Sequence, residues 1–310
     1  MLHIKRIEDG AELFKALGSN IRISILRLLI DNENMSMNEI AQNLGISNGA
    51  LTSHVKMLEE TGLIKTDTVH STHGNQKMCS VNVDQILVDI DGDGDDKQDQ
   101  IFTEEIPIGH FANYNVFPTC GISTTKALIG EVDDPRYFAH PDRINAGILW
   151  FGKGSIEYLI PNLLPSNTQI DQLTLSFEIA SEAPGVFNNW PSDITFRLNG
   201  VNIGTWTSPG DFGDVRGIFT PDWWFENWNQ YGLLKMLAIN KKGTFIDGLK
   251  ISDVNVKQLK LDYKSTLRFE FAVEDASEHV GGFTLYGTGF GNYNQDIKVQ
   301  IAYSQMPANQ

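Results

Sequence analysis

Cysteine is scarce. Cys79 and Cys120 are the only two in 310 residues, too few for a disulfide framework and in keeping with a reducing compartment. No stretch approaches the roughly 20 consecutive apolar residues of a membrane-spanning helix. The opening residues, MLHIKRIEDGAELF, lack the apolar run and cleavage site of a secretory leader. The expectation is therefore a cytoplasmic protein with no membrane partner. Positive charge is also short, with 24 Lys and Arg against 39 Asp and Glu and a net charge of −15. Such a chain repels nucleic acid unless its charge is segregated. There is no Ser-His-Asp elbow and no phosphate loop, so the sequence points away from an enzyme. What the chain does have is a hydrophobic content of 41% and length enough for two domains.

The most informative stretch is Ser36 to Leu63. Ser36 and Glu39 have the spacing of a capping box, in which the hydroxyl accepts from the third helical N–H and the carboxylate reaches back to the cap N–H. Met37, Ile40, Ala41 and Leu44 recur at helical spacing, and Gly45 permits the left-handed turn that ends a helix. Ser47 is a natural N-cap for a second helix. Its Leu51, Val55 and Leu58 share one face, which leaves Asn48, Gly49, Thr52, Ser53 and Lys56 looking outward. A second helix held proud in this way fits the DNA major groove; the plainer alternative is a pair of core helices. Upstream, Ala11 to Leu17 reads as a helix ended by Gly18. Ser19 caps the next helix, with Ile21, Ile25, Leu28 and Leu29 inward. Downstream, Leu63 to His70 and Gln76 to Val83 read as strands joined by a turn at Ser71–Asn75, a wing that presents His70, His73 and Lys77.

Over the first quarter of the chain this order resembles the winged helix-turn-helix of ArsR/SmtB type. The resemblance rests on Leu17 and Gly18, Arg22, the run Thr52-Ser53-His54-Val55-Lys56, and Gly62 with Leu63. Thr52 departs from a usual Ser and Ser53 from a usual Arg, which removes a charge that could meet a phosphate or a guanine edge. The resemblance implies a transcriptional regulator, a repressor rather than an activator, that binds operator DNA as a homodimer. Its DNA contacts would come from Asn48, Gly49, Thr52, Ser53, Lys56, His73, Lys77 and Arg22. The thiolate positions of metal-sensing relatives fall on Ser36 and Asn38, which supply none. His3, His54, His70 and His73 lack paired helical spacing, so no metal cofactor is expected there. Cys79 reads as a small buried hydrophobe before a redox switch.

Residues 86–107 are expected to be an acidic linker between a DNA-binding domain at 1–85 and a second domain at 108–310. Within it, Asp89, Asp91, Asp93 and Gly94 match the first half of a calcium loop. Gln100 stands where the closing Glu belongs, so calcium is the weaker reading and a solvated, self-repelling linker the stronger.

Beyond the linker the hydrophobic period becomes two. Leu173, Leu175, Phe177 and Ile179 alternate with polar residues, as do Ile194, Phe196 and Leu198, then Leu267, Phe269, Phe271 and Val273, then Ile297, Val299, Ile301 and Tyr303. Each set predicts a strand with one buried face, and Asn199-Gly200 predicts a hairpin. The fold class expected is multidomain α+β, a winged helix-turn-helix followed by an antiparallel β-sandwich of jelly-roll type. In general pattern the second domain resembles carbohydrate-binding sandwiches. Its loops are dense in aromatics, and Trp190, Trp206, Asp211, Asp214, Arg216, Trp223, Trp224 and Trp228 are the candidate ligand-binding residues. Sugars stack on aromatic faces while carboxylates and Arg bond their hydroxyls; the alternative is that many of these rings are core. Asp133, Asp134, Arg136, His140, Asp142, Arg143 and Trp150 are placed to contribute to the same pocket. Two other readings stand beside a small-molecule effector. The sandwich serves only dimerisation or partner docking, or it is a glycoside-active domain using Glu178, Glu182 or Glu226.

Overall fold

The computed structural model describes residues 2–4, 6–32, 34–71, 74–83, 86–88 and 100–306. The chain divides into two compact units, Met1–Lys97 and Gln98–Gln310. Among the described residues no helix is long and apolar enough to cross a membrane.

The first unit runs β1 (Leu2–Ile4), α1 (Ala11–Leu17), α2 (Asn20–Asp31), β2 (Met35–Ser36), α3 (Met37–Leu44), α4 (Asn48–Glu60), β3 (Ile64–Ser71), β4 (Gly74–Val81) and β5 (Ile86–Val88). The capping box at the head of α3 is formed: Ser36 Oγ accepts from the Glu39 amide at 3.3 Å, and Glu39 Oε2 accepts from the Ser36 amide at 2.7 Å. Gly45 ends α3 at φ 63°, and Ser47 Oγ accepts from the Ala50 amide at 3.2 Å to open α4. Ile25, Leu29, Ile40, Leu51, Val55 and Leu58 meet in one core with Cys79. Burial raises the Cys79 thiol pKa above its ordinary value, and its Sγ lies 3.8 Å from Met37 Sδ.

Several local expectations need correction. Ile21 is 40% exposed, because the core contacts of α2 fall on Ile25 and Leu29 while its first turn projects past them. Ser19 occupies the cap position of α2 without a side-chain cap bond. The wing turn is tighter than expected, since the ladder of β3 and β4 continues to Ser71 paired with Gly74. Thr72 and His73 lie outside the described residues. Ile86–Val88, expected in the linker, pairs in parallel with Leu2–Ile4. The calcium candidates Asp89, Asp91 and Asp93 lie outside the described residues.

The second unit is a large antiparallel β-domain, nearly barrel-shaped. Its described strands are β6 (Gln100–Ile106), β7 (Asn113–Thr124), β8 (Ala146–Ile160), β9 (Thr168–Ala180), β10 (Ser192–Leu198), β11 (Val201–Ser208), β12 (Leu233–Asn240), β13 (Gly243–Ile246), β14 (Leu249–Ser252), β15 (Leu267–Val273), β16 (Phe283–Tyr286) and β17 (Ile297–Gln305). β6 also takes up residues expected in the linker, and it pairs with β17. One run of strands goes β7-β8-β15-β10-β11 and another β6-β17-β9-β12-β13-β14, and the four-residue β16 bonds to both β8 and β9 to join them. At the far side β11 comes close to β14. A Cβ on Gly204 would stand 2.6 Å from Ile251 Cδ1, so only glycine lets the two strands approach.

Alternation builds the interior. Phe177, Phe196, Phe269 and Phe271 interlock, with Phe177 and Phe271 centroids 4.9 Å apart. Asn199 and Gly200 turn at φ 51° and 78° between β10 and β11, the two positive values a type I′ hairpin requires. On β9 the one-faced expectation fails. Thr174, Ser176 and Glu178 on its second face are also buried, because β9 is flanked on both edges and the segment 292–295 bonds to that face through Glu178 and Ser176.

Candidate functional site

The outward face of α4 is built as its sequence pattern requires. Leu51, Val55 and Leu58 are buried, and Asn48, Gly49, Thr52, Ser53 and Lys56 are exposed on the other side. Local bonds hold the polar side chains close to the helix: Thr52 Oγ1 donates to the Asn48 carbonyl, Ser53 Oγ to the Ala50 carbonyl, and Asn48 Nδ2 to Asn38 Oδ1. The cations are less available than their positions suggest. Lys56 lies 3.7 Å from Glu60 and Lys77 3.1 Å from Glu59. The Arg22 guanidinium donates to the Ala16 and Lys15 carbonyls at 2.6 Å each and ties α1 to α2.

The expected tryptophan wall is dispersed. Trp224 is 1% exposed and packs edge-on against Trp150, Trp228 and Phe290, with Nε1 donating to the Asn229 carbonyl. It is core. Its neighbour Trp223 is 37% exposed and donates to the Thr125 carbonyl. Trp206 sits on β11 under the Lys235 ammonium, 4.8 Å from its ring, and Trp190 pairs with Phe187 at 5.8 Å. Asp214 accepts from the Tyr231 hydroxyl, and Arg216 donates to the Pro221 carbonyl. Asp211 is fully buried and accepts from the Ala183 amide at 3.1 Å; burial pushes its pKa up to about 7. In the upstream segment, Asp134 binds Arg136, His140 accepts from the Asp142 amide, Asp142 accepts from Asn145, and Arg143 donates to the Gly109 and Phe111 carbonyls. These hold turns together.

A cleft of about 130 Å³ does open at this end of the second unit, with Trp150, Trp228, Glu182, Asn229, Thr119 and Asp133 in its lining. Of the eight tryptophan-segment candidates only Trp228 reaches it. From the upstream segment expected to share the pocket, Asp133 and Trp150 line it; Glu182 is a candidate only for the glycoside reading, and Thr119 and Asn229 carry no signal in the sequence. Glu182 Oε2 accepts from Asn229 Nδ2 at 3.0 Å and lies 3.1 Å from Thr284 Oγ1, and Oε1 lies 3.4 Å from Thr119 Oγ1. Burial, and after it the charge of Asp211, holds the Glu182 carboxyl well above the usual carboxylate range. Asn229 is itself buried, and its Oδ1 finds no partner among the described residues. Thr284 stands in register with Trp150 on β8 and with Ala180 on β9, so the aromatic and acidic walls share one strand.

The other two glutamates of the glycoside reading do not pair with Glu182 in this cleft. Glu178 accepts from the Gly232, Asn292 and Tyr293 amides and pins those loops. Burial, opposed by these bonds, lifts it to about 7. Glu226 is exposed.

A family model described as winged helix-turn-helix DNA-binding matches residues 19–65, from the cap of α2 to the first strand of the wing. Over 62 residues, 20% of this chain, the sequence is 32% identical to an uncharacterized HTH-type transcriptional regulator of Methanocaldococcus jannaschii and covers 70% of that protein. It is 39% identical, again over 62 residues, to the transcriptional activator HlyU of Vibrio cholerae, of which it covers 56%. Among solved structures, a transcriptional regulator homologue from Pyrococcus horikoshii is similar at 26% identity over 23% of this chain and 75% of that one, with a TM-score of 0.19.

Proposed function

The chain belongs, through its first unit, to the winged helix-turn-helix transcriptional regulators, and from that premise we propose that its second unit receives a small neutral sugar whose binding changes operator affinity. The observation that carries the DNA-binding reading is α4 itself, capped at Ser47, buried along Leu51, Val55 and Leu58, and exposed along its opposite face. In such a motif the N-terminal part of the second helix meets base edges. We read the subtype as ArsR/SmtB-like without metal sensing, since Ser36 is committed to the helix cap, and the action as repression. A homodimer on two half-sites fits the paired cations of α4 and the wing, because one protomer alone has little charge to offer phosphates. Ile23 and Ile30, seven apart on α2 and exposed, are our candidates for the contact between copies. We read the two strand runs joined by β16 as a jelly-roll-like sandwich, with the effector at the cleft end.

Footprinting of the DNA beside the protein's own gene with the full chain tests this reading. Two protected half-sites about one helical turn apart are expected, with protection lost when an effective sugar is added. Absence of protection at low salt overturns the reading.

A further inference from the structure

The inference rests on the ligand-receiving role just proposed and deepens it by assigning a place and a chemical class. We infer that the cleft between Trp150, Trp228 and Glu182 is the subsite for an uncharged saccharide, and that it rejects phosphorylated and acidic sugars. Three observations on the lining carry this.

The first is shape and surface. Trp228 is half-buried and supplies the open aromatic surface of the cleft, while Trp150, 4% exposed, stands at 69° to it with centroids 5.8 Å apart and holds that ring in place. An apolar wall beside convergent polar groups suits a ring with one hydrophobic face and a hydroxyl edge. The second is the set of polar partners. Asn229 holds Glu182 with its amide N–H group and leaves Oδ1 unpartnered. A buried acceptor of this kind favours a ligand that brings an O–H. Glu182 and Thr119 beside it accept from, or donate to, the same kind of group, and a hydroxyl does both. The third is charge. No Lys, Arg or His lines the cleft among the described residues, while Asp133 and Glu182 do. A phosphate or carboxylate brought here would find no cation to compensate its charge, with Asp133 at the rim opposing it.

The test is titration of the full chain, followed by tryptophan fluorescence, with glucose, galactose, xylose, arabinose and their β-linked disaccharides, and with glucose 6-phosphate, glucuronate and ethanolamine as controls. A saturable change with at least one neutral sugar and none with the three controls is expected. Glu182→Ala should weaken that sugar about tenfold or more, and Glu182→Gln, which keeps both a donor and an acceptor, should weaken it less. Val132→Trp narrows the mouth at a position exposed in the fold and should also weaken binding, which keeps the test sound if Glu182→Ala does not fold. Tighter binding of a phosphorylated sugar or the amine overturns the proposal. So does no response to any neutral sugar, or full affinity in both Glu182→Ala and Val132→Trp. If the sugar binds as stated and operator affinity does not move, the subsite stands and the regulatory reading falls. If operator affinity responds to a sugar that both variants still bind fully, the reverse holds.

Discussion

The Lys77 ammonium lies 3.1 Å from Glu59 Oε2, so the wing cation proposed to meet DNA is already paired within the protein. Glu59 also accepts from the Thr66 hydroxyl, and that bond, ahead of Lys77, lowers its pKa. Glu59→Gln leaves a partner for Thr66 and removes the competing charge. Operator affinity at low salt should rise, and the plot of log affinity against log salt should steepen by about one per protomer. An unchanged slope would show that Lys77 meets no phosphate.

Gly49 lies in the first turn of α4, and a Cβ there would meet nothing within 4 Å. Gly49→Ala should therefore stabilise the first unit, by up to about 1 kcal/mol from helix propensity. If the backbone at this point approaches the base edges, the same methyl lowers operator affinity. Stability from helical circular dichroism and affinity from DNA titration should then move in opposite directions; a gain in both would mean that the start of α4 stays out of the groove.

Ile30 is 65% exposed and Ile23 45%. A spacing of seven puts them on one side of α2. Ile30→Lys adds a cation near the helix C-terminus, where it is tolerated, and should shift the full chain toward monomer in sedimentation velocity with helix content retained. Sedimentation identical to the parent chain would remove this face from the proposed dimer.

Glu178 and Asp211, both fully buried, are raised to about 7 by burial. The unfolded chain releases these protons near pH 4. Between about pH 4 and 7 the folded state thus binds more protons than the unfolded state, and stability falls as pH rises through that window, then levels off. The penalty above pH 7 is on the order of 3 kcal/mol per group. All six tryptophans lie in the second unit, so urea midpoints followed by their fluorescence report on it alone. The midpoint should be higher at pH 5.5 than at pH 8, and Asp211→Asn should flatten the difference. Parallel profiles for the two proteins would contradict the assignment.

Local chemistry was the legible part of this protein. Ser36 with Glu39, Gly45, Ser47 and the Leu51–Val55–Leu58 stripe act through bonds a few residues long, and each stands where its type and spacing put it. So does the Asn199-Gly200 turn. Ile21 and Ile25 have equal claim to the core by period, and only the extent of the packed neighbours separates them. Trp223 and Trp224 are adjacent in sequence with opposite fates, since direction along an irregular segment follows no period. The cleft was the least legible. Thr119, Asp133, Trp150, Glu182 and Asn229 come from five separate places, brought together by the pairing of β7, β8, β16 and β9 and by loop bonds such as Cys120 to Asp133 and Asn229 to Glu182. Three residues at Ile86–Val88 are likewise too short a run to announce a strand whose partner is at the opposite end of the unit.

Thr284 has one backbone partner beside the indole of Trp150, another at Ala180, and a hydroxyl 3.1 Å from both Ser181 O and Glu182 Oε2. The gap between the two walls is thus set by ladder hydrogen bonds and behaves as a rigid gauge. A guest that fits would lose little freedom on the protein's side and bind with modest ordering entropy, while one of the wrong width could not be met by widening. Compliance at this end of the unit is left to the irregular segments that carry Asp133, Gly185, Trp228 and Asn229.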